Sequence, residues 1–577
     1  MSGPGVGRPA GRRLAFAGAG ALAAATAALW IVSRGKWSDA LIDSGREWIV
    51  PDALSRGELL YRDVVYWFGP LTPYLHAAWL RVFGSSFSTL VIAGTLESAA
   101  MLVALFAALR LVASRLEAAL WTLLAIPLVV FMLGGVLVGM AYRHAATFAL
   151  LALTLACRSR ISHRRSTLAF AGVLCGMTGL CRTEWGIAAI SAAGLGILVS
   201  GRLRARAWRD ALLLAGTALL TFGLVIAGFV SAAGFRPVIQ EGHLLLTGVP
   251  AETRRFVLAF SGIGNWRAGI ANVLYSAGLW LSVFLLVRLL TVGRTDRGRL
   301  TADLKSLAVV LSLLGILALL DGASGAILWS GAPVLCALAV FLGVRRTRGR
   351  TSAVLVSFGS MGLVMSYRRI LHSGDSWYFG APLLFACVSG AALVRLALAS
   401  DRSRAPRDLL RNGLELTLGI MIFLAFAMRL FQYGNDSRVA IAGTDGFLSA
   451  RPELASSIEK LAAAVRRETR DGSGLAVFPE GEILNYLSGR PNPCRHKMSL
   501  PGYLTRDNEG EFLDELNRAR PAAIVVWRRL TVEYGPAFFG EDYGENIRAW
   551  IEANYQLRTT SGGHHPEVSL YLARTPR

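Results

Sequence analysis

The sequence predicts a polytopic α-helical membrane protein of about thirteen spans, followed by a small α/β domain. Three observations predict it. A chain of 577 residues with 54% hydrophobic against 17% charged residues, and a mean hydropathy of +0.47, is too apolar for a soluble protein of its size. Windows of about 17 to 25 apolar residues fall near 14–32, 86–109, 118–138, 145–157, 167–181, 186–200, 211–233, 269–290, 306–320, 326–343, 352–366, 378–398 and 412–430. The net charge of +22 is unevenly spread, since residues 433–577 hold 18 Lys/Arg against 19 Asp/Glu and residues 34–81 hold 6 against 6. The excess sits in short links such as Arg158–Arg160, Arg202–Arg206, Arg345–Arg348 and Arg402–Arg404. That is the positive-inside bias of membrane proteins and argues against nucleic acid as a partner.

Taken in order, Arg12 and Arg13 precede Leu14 to Val32, an apolar stretch that suits a retained anchor better than a short signal-peptide core. With an inside N-terminus and an odd number of spans, the first loop (33–85) and the C-terminal residues share the outer face. The chain then divides into a transmembrane domain, 1–432, and an extracytoplasmic α/β domain, 433–577. In the latter, Ala455–Arg467, Glu509–Asn517 and Glu545–Tyr555 have helical spacing, whereas Leu475–Phe478, Ala522–Trp527 and Val568–Leu572 read as short strands. Five cysteines lie in or beside spans as small hydrophobes, and Cys494 is alone in the tail. The tail has no glycine-rich phosphate loop or Ser/His/Asp pattern, and His564–His565 is read as coincidence.

The first loop is crowded with ionisable and aromatic groups. Asp39, Asp43 and Glu47 recur every fourth residue, so a helix over Ser38–Ile49 would align all three carboxylates, and Pro51 would stop it. Ala53–Leu60 then leads into Tyr61-Arg62-Asp63 and Tyr66-Trp67-Phe68 before Gly69-Pro70 turns the chain back. Other outer links hold Arg143-His144, Arg182 with Glu184, and residues 367–377. A charge at mid-membrane costs roughly 2.5–3.5 kcal/mol on insertion scales, so such residues need a structural pairing or a functional reason. A carboxylate that takes a hydroxyl proton and cations that hold a departing phosphate together suit group transfer from a lipid phosphate.

The loop resembles the first extracytoplasmic loop of GT-C integral membrane glycosyltransferases, the class of protein O-mannosyltransferases and the lipid A aminoarabinose transferase. The matching features are Asp43 soon after the first span, a helix ending at Gly57, Leu60-Tyr61-Arg62-Asp63, Phe68-Gly69-Pro70-Leu71 and Val82-Phe83-Gly84. In the tail, Phe478-Pro-Glu-Gly481, Leu487–Pro493 and Leu500–Tyr503 resemble the extramembrane domain of bacterial members. The resemblance implies a polyprenyl-phosphate sugar donor, an acceptor hydroxyl on a glycan, lipid or protein, and Asp43 as the base of an inverting transfer. Many relatives carry an adjacent Asp-Glu pair; here Ser44 follows Asp43, so either Glu47 serves as the second acidic group or none is needed, and Asp63 is a further catalytic candidate or, preferably, an orienting or loop-fixing residue. Candidate phosphate ligands are Arg62, Arg143, His144, Arg182, Arg368, Arg369 and His372, and candidate sugar or acceptor contacts are Tyr66, Trp67, Tyr74 and Trp377. Three carboxylates could collect a divalent metal, but no ligand spacing demands one. Composition fits a bacterial inner membrane. The rival readings are a lipid or glycan transporter, which should show repeated or broken spans in corresponding halves, and a non-catalytic assembly protein.

Overall fold

The computed structural model describes residues 8–131, 140–242, 251–260, 326–366, 380–400, 404–561 and 567–574, except 163, 203 and 346, together with five isolated positions between 267 and 278. The helices are α1 (Arg8–Ser33), α2 (Ser44–Ser55), α3 (Leu71–Phe83), α4 (Phe87–Leu109), α5 (Arg115–Ala125, running into a π-helical turn Ile126–Val130), α6 (Met140–Ser162), α7 (Arg165–Cys181), α8 (Thr183–Ser200), α9 (Ala205–Ala233), α10 (Ala251–Phe260), α11 (Ala326–Arg345), α12 (Gly349–Met365), α13 (Gly380–Ser400) and α14 (Arg404–Gly434). Helices thus occupy the expected spans wherever the chain is described; the windows 269–290 and 306–320 lie essentially outside the described residues. Among those residues, α4, α8 and α9 are long and apolar enough to cross a membrane, with shorter apolar helices beside them. The result is a polytopic helical membrane fold.

Local chemistry sets the helix ends. Ser86 caps α4 by accepting the Thr89 N–H at 3.1 Å. At α5, Ser114 and Glu117 form a reciprocal capping box. Between α7 and α8 the chain breaks at Arg182, whose backbone is extended (φ −152°, ψ 116°), so its side chain leaves the bundle's end rather than a helix face. The first loop packs on this break. Gly69 donates its N–H to the Cys181 carbonyl at 3.3 Å, and a Cβ at Gly69 would come within 2.0 Å of the Leu180 oxygen.

The expected helix over Ser38–Ile49 is corrected. The helix α2 begins at Ser44 with Asp43 as its N-cap, because the Asp39 carboxylate instead accepts the backbone N–H groups of Leu41 and Ile42 at 2.8 and 3.1 Å and fixes a turn there. Pro51 does not stop α2 either. It lies inside a helix whose residues Trp48 to Leu54 are all buried, so packing outweighs the one backbone bond that proline cannot make. The helix ends instead at Ser55, with Arg56 as its C-cap and Gly57 beyond it at φ +98°.

After α14, strands β1 (Val439–Ala440) and β2 (Ser449–Ala450) pair, and α15 (Pro452–Glu468) leads to β3 (Leu475–Phe478), α16 (Ile483–Ser488), α17 (Glu509–Ala519), β4 (Ala523–Trp527), α18 (Glu545–Asn554), β5 (Tyr555–Ser561) and β6 (Val568–Ala573). The four-stranded sheet has the order β3-β4-β6-β5, parallel between β3 and β4 and antiparallel elsewhere. This C-terminal region sits on the first loop. Arg495 donates to the Tyr61 and Arg62 carbonyls at 2.8 and 2.9 Å, Lys497 pairs with Glu58 at 2.9 Å, and Tyr486 meets Trp48 edge-on at 5.1 Å. All six cysteines are free and buried.

The C-terminal region presses on α2 at Gly45, where a Cβ would lie 2.5 Å from the Ile483 nitrogen and 2.7 Å from the Glu482 carbonyl carbon, both backbone atoms that cannot rotate away. Gly45→Ala is therefore expected to destabilise the C-terminal region by about 1–3 kcal/mol and speed its proteolysis. Gly216→Ala on α9, where a Cβ meets nothing within 4 Å, should leave both unchanged. Equal melting and cleavage for the two variants would contradict the close docking.

Candidate active site

The first turn of α2 stands where the bundle end, the first loop and the C-terminal region meet. The Asp43 carboxylate accepts a hydrogen bond from Arg46 at 2.6 Å, and with its side chain 33% exposed it stays reachable. Burial disfavours charge on Arg46, but the Asp43 and Glu47 carboxylates outweigh it and hold the guanidinium above its usual pKa. One turn on, Glu47 is half-buried and its field reaches Arg46, Tyr66, His76 and Arg143. The helical turn thus points one acid outward and the other toward the bundle.

Beneath α2 lies a buried polar cluster drawn from three helices. His76 of α3 and His144 of α6 place their Nε2 atoms 2.7 and 3.2 Å from the same oxygen, Oε1 of Glu97 on α4. Among the described residues the other Glu97 oxygen has no hydrogen-bond partner, and Thr72 lies 3.2 Å from His144 Nδ1. Beside them Arg143 is fully buried. Two imidazoles and a carboxylate whose donor atoms lie within 4.8 Å of one another fit a divalent cation such as zinc, and Glu97 Oε2 is unspent.

Arg182 closes the cluster toward the first loop. It donates to Glu184 at 2.7 Å, and its guanidinium lies 4.0 Å from the ring centre of Tyr142 and 4.6 Å from that of Phe68. The C-terminal region supplies the lid. Buried Glu480 pairs with Arg529 at 2.8 Å, and burial pushes its carboxyl well above the usual range despite that partner. Buried Glu482 is raised to about 7, again by burial, which the Gly481 N–H and the charge of Arg46 only partly offset. Tyr503 stacks on Trp67 at 3.7 Å.

Measured against the sequence, the structure brings Asp43, Glu47, Arg143, His144 and Arg182 into one neighbourhood but alters their settings. Arg143 and His144 are not on a loop; they lie in the first turns of α6, enclosed with Glu97. Asp63 and Arg62 stand apart as a pair at 2.8 Å, and Asp63 also accepts the Leu59 N–H at 2.8 Å, which fixes the 59–64 turn. Of the aromatic candidates, Tyr66 is buried, Trp67 is covered on one face by Tyr503, and Tyr74 is packed against Phe229 with its hydroxyl accepting the Leu60 N–H. Protein packing therefore takes up much of the ring surface expected to meet sugar. Arg368, Arg369, His372 and Trp377 lie outside the described residues. Sequence reading missed Arg46, His76, Glu97 and Glu482. Glu97, a carboxylate in the middle of an apolar span, was the one with a clear signal.

No protein-family model and no curated protein matches this chain. Among solved structures it resembles the Archaeoglobus fulgidus oligosaccharyltransferase, solved with Zn and sulfate, at 14% identity and a TM-score of 0.50 over 88% of this chain and 68% of that one. It is also similar to ArnT from Cupriavidus metallidurans, solved with undecaprenyl phosphate, at 13% identity and a TM-score of 0.48 over 95% and 97% of the two chains. The likeness to the oligosaccharyltransferase shows that the chain has the GT-C fold.

The raised Glu482 pKa gives a signed pH dependence. Below about pH 4.5 the carboxyl is protonated folded or unfolded; between there and about 7 folding takes up a proton, so stability falls as pH rises. Thermal melts of the wild type and Glu482→Gln should diverge across that window by on the order of 3 kcal/mol, the variant keeping only the decline that Glu480 contributes. Parallel curves would mean that Glu482 titrates as an ordinary acid.

Proposed function

We propose that this chain transfers a sugar from a polyprenyl-phosphate-linked donor to an acceptor hydroxyl at the outer face of the cytoplasmic membrane. The observation that carries the reading is Asp43: a reachable carboxylate oriented by Arg46, on the first loop of a GT-C fold, one helical turn from Glu47, whose field reaches buried His76 and Arg143. In the proposed reaction the acceptor oxygen attacks the anomeric carbon and its proton passes to Asp43. The bond from that carbon to the donor phosphate breaks, the phosphate leaves with the bonding electrons, and the configuration inverts.

Arg46 and Arg182 are the cations best situated to steady the leaving phosphate, being nearer the loop than the enclosed Arg143. Glu47 keeps the charge of that neighbourhood balanced and serves as the second acid. The fold of Glu480 to Ile483 over α2 makes the C-terminal region the wall against which the acceptor lies. Where a divalent cation is bound, His76, Glu97 and His144 would hold it, and it would supply Lewis-acid stabilisation of negative charge.

The test is turnover by the purified chain in liposomes supplied with polyprenyl-phosphate sugars extracted from a bacterial envelope, read as release of the polyprenyl phosphate. Asp43→Asn is expected to lower kcat by roughly 10²–10⁴-fold, the usual worth of a general base, with little change in KM. An Asp43→Asn variant at the wild-type rate would remove Asp43 as the base. If the wild type consumes no lipid-linked sugar and cells lacking it keep every envelope glycan, the enzyme reading fails.

A further inference from the structure

At the opposite end of the bundle from the first loop, α4 ends and the chain turns through Leu111, Val112 and Ala113 before Ser114 caps α5. The start of α12 and the end of α13 close over this turn and leave a cavity of about 520 Å³. Three arginines line it, one from each side: Arg110, Arg350 and Arg395. Each spends an N–H on a carbonyl of the turn, Arg110 on Ala113, Arg350 on Leu111 and Arg395 on Val112, the last at 3.1 Å.

This arithmetic leaves the cavity rich in donors and poor in acceptors. A guanidinium has five N–H groups, so among the described residues most of those on the three arginines remain for something else. The turn's carbonyls are already taken. Among the described residues the lining holds one acid, Glu117, which accepts the Ser114 N–H at 2.7 Å, against three guanidinium groups. Like charge adds to the imbalance, because Arg350 feels Arg395, Arg158 and Arg110 together. Mutual repulsion at that range is offset by an anion with several oxygens, and planar guanidinium forks match the oxygens of a phosphate. The remaining wall is apolar, formed by Ala391 and Val394 of α13 with the turn's own side chains, at the level where the apolar helix α4 stops. A group that joins phosphate to hydrocarbon meets both halves of such a lining.

We propose that this cavity binds a phosphate group carried by an anionic phospholipid, at a site separate from the one around Asp43. It requires nothing of the proposed glycosyl transfer and survives if that reading fails. Basic pockets between helices at a membrane interface are suited to such headgroups.

Native mass spectrometry of the full chain in neutral detergent, titrated with phosphatidylglycerol, phosphatidylcholine or inorganic phosphate, tests it. Phosphatidylglycerol should bind about tenfold or more tightly than phosphatidylcholine. Arg350→Gln with Arg395→Gln should erase that preference, and either single variant should weaken phosphatidylglycerol about 3- to 10-fold. Inorganic phosphate that binds as tightly as the lipid would assign the cavity to a free anion and overturn the lipid source. Equal affinity for the two lipids, or single arginine variants that both bind as the wild type does, would overturn the proposal even if the double variant fails to fold.

Discussion

The structure depends on the cost of taking Glu97 out of water. A carboxylate on a membrane-spanning helix is tolerated only with partners, and those partners come from different elements: His76 from α3, His144 from α6, with Arg143 alongside. Because one oxygen serves both imidazoles, moving any of the three helices strands a charge. The cluster therefore fixes where the first loop's return helix lies against the bundle, and with it the height at which α2 crosses above.

From that fixed point the two distant parts of the chain become interdependent. Gly69 seats the first loop on the break between α7 and α8, which presents Arg182, while Gly45 lets Glu482 and Ile483 of the C-terminal region rest directly on α2. Arg495 and Lys497 tie the same region to residues 58–62. A site made from the beginning, middle and end of a chain is held by folding as a whole. Loosening the C-terminal region is then expected to disturb Asp43 through Arg46 without touching either residue.

Much of the bundle was legible because apolar length and arginine-rich links are local signals, and helices stand at the expected spans wherever the chain is described. Within the tail, β3, β4 and β6 were legible as apolar runs, whereas β5 was not: Tyr555–Ser561 is mostly polar and lies at the sheet edge, where only Tyr555 is buried among residues 555–560. The acidic stretch misled in one respect. Spacing of four aligned Asp39 with Asp43 and Glu47, but a side chain that captures backbone N–H groups competes with helix formation, and Asp39 did so. The candidate site was legible in its first-loop acid and in Arg182. The pairing of Glu97 with two histidines from other helices has no local pattern, and nothing near Glu482 in sequence announces that it rests on Gly45. Such contacts belong to the packing.

The central claim is that Asp43 faces a lipid-borne phosphate across this buried polar cluster. A structure of the chain with a bound polyprenyl phosphate tests it most directly. The account predicts phosphate oxygens within about 2.7–3.2 Å of the Arg46 or Arg182 guanidinium, with the Asp43 carboxylate open toward the space in front of them. A phosphate bound elsewhere on the bundle, with Asp43 turned to bulk solvent, would contradict it.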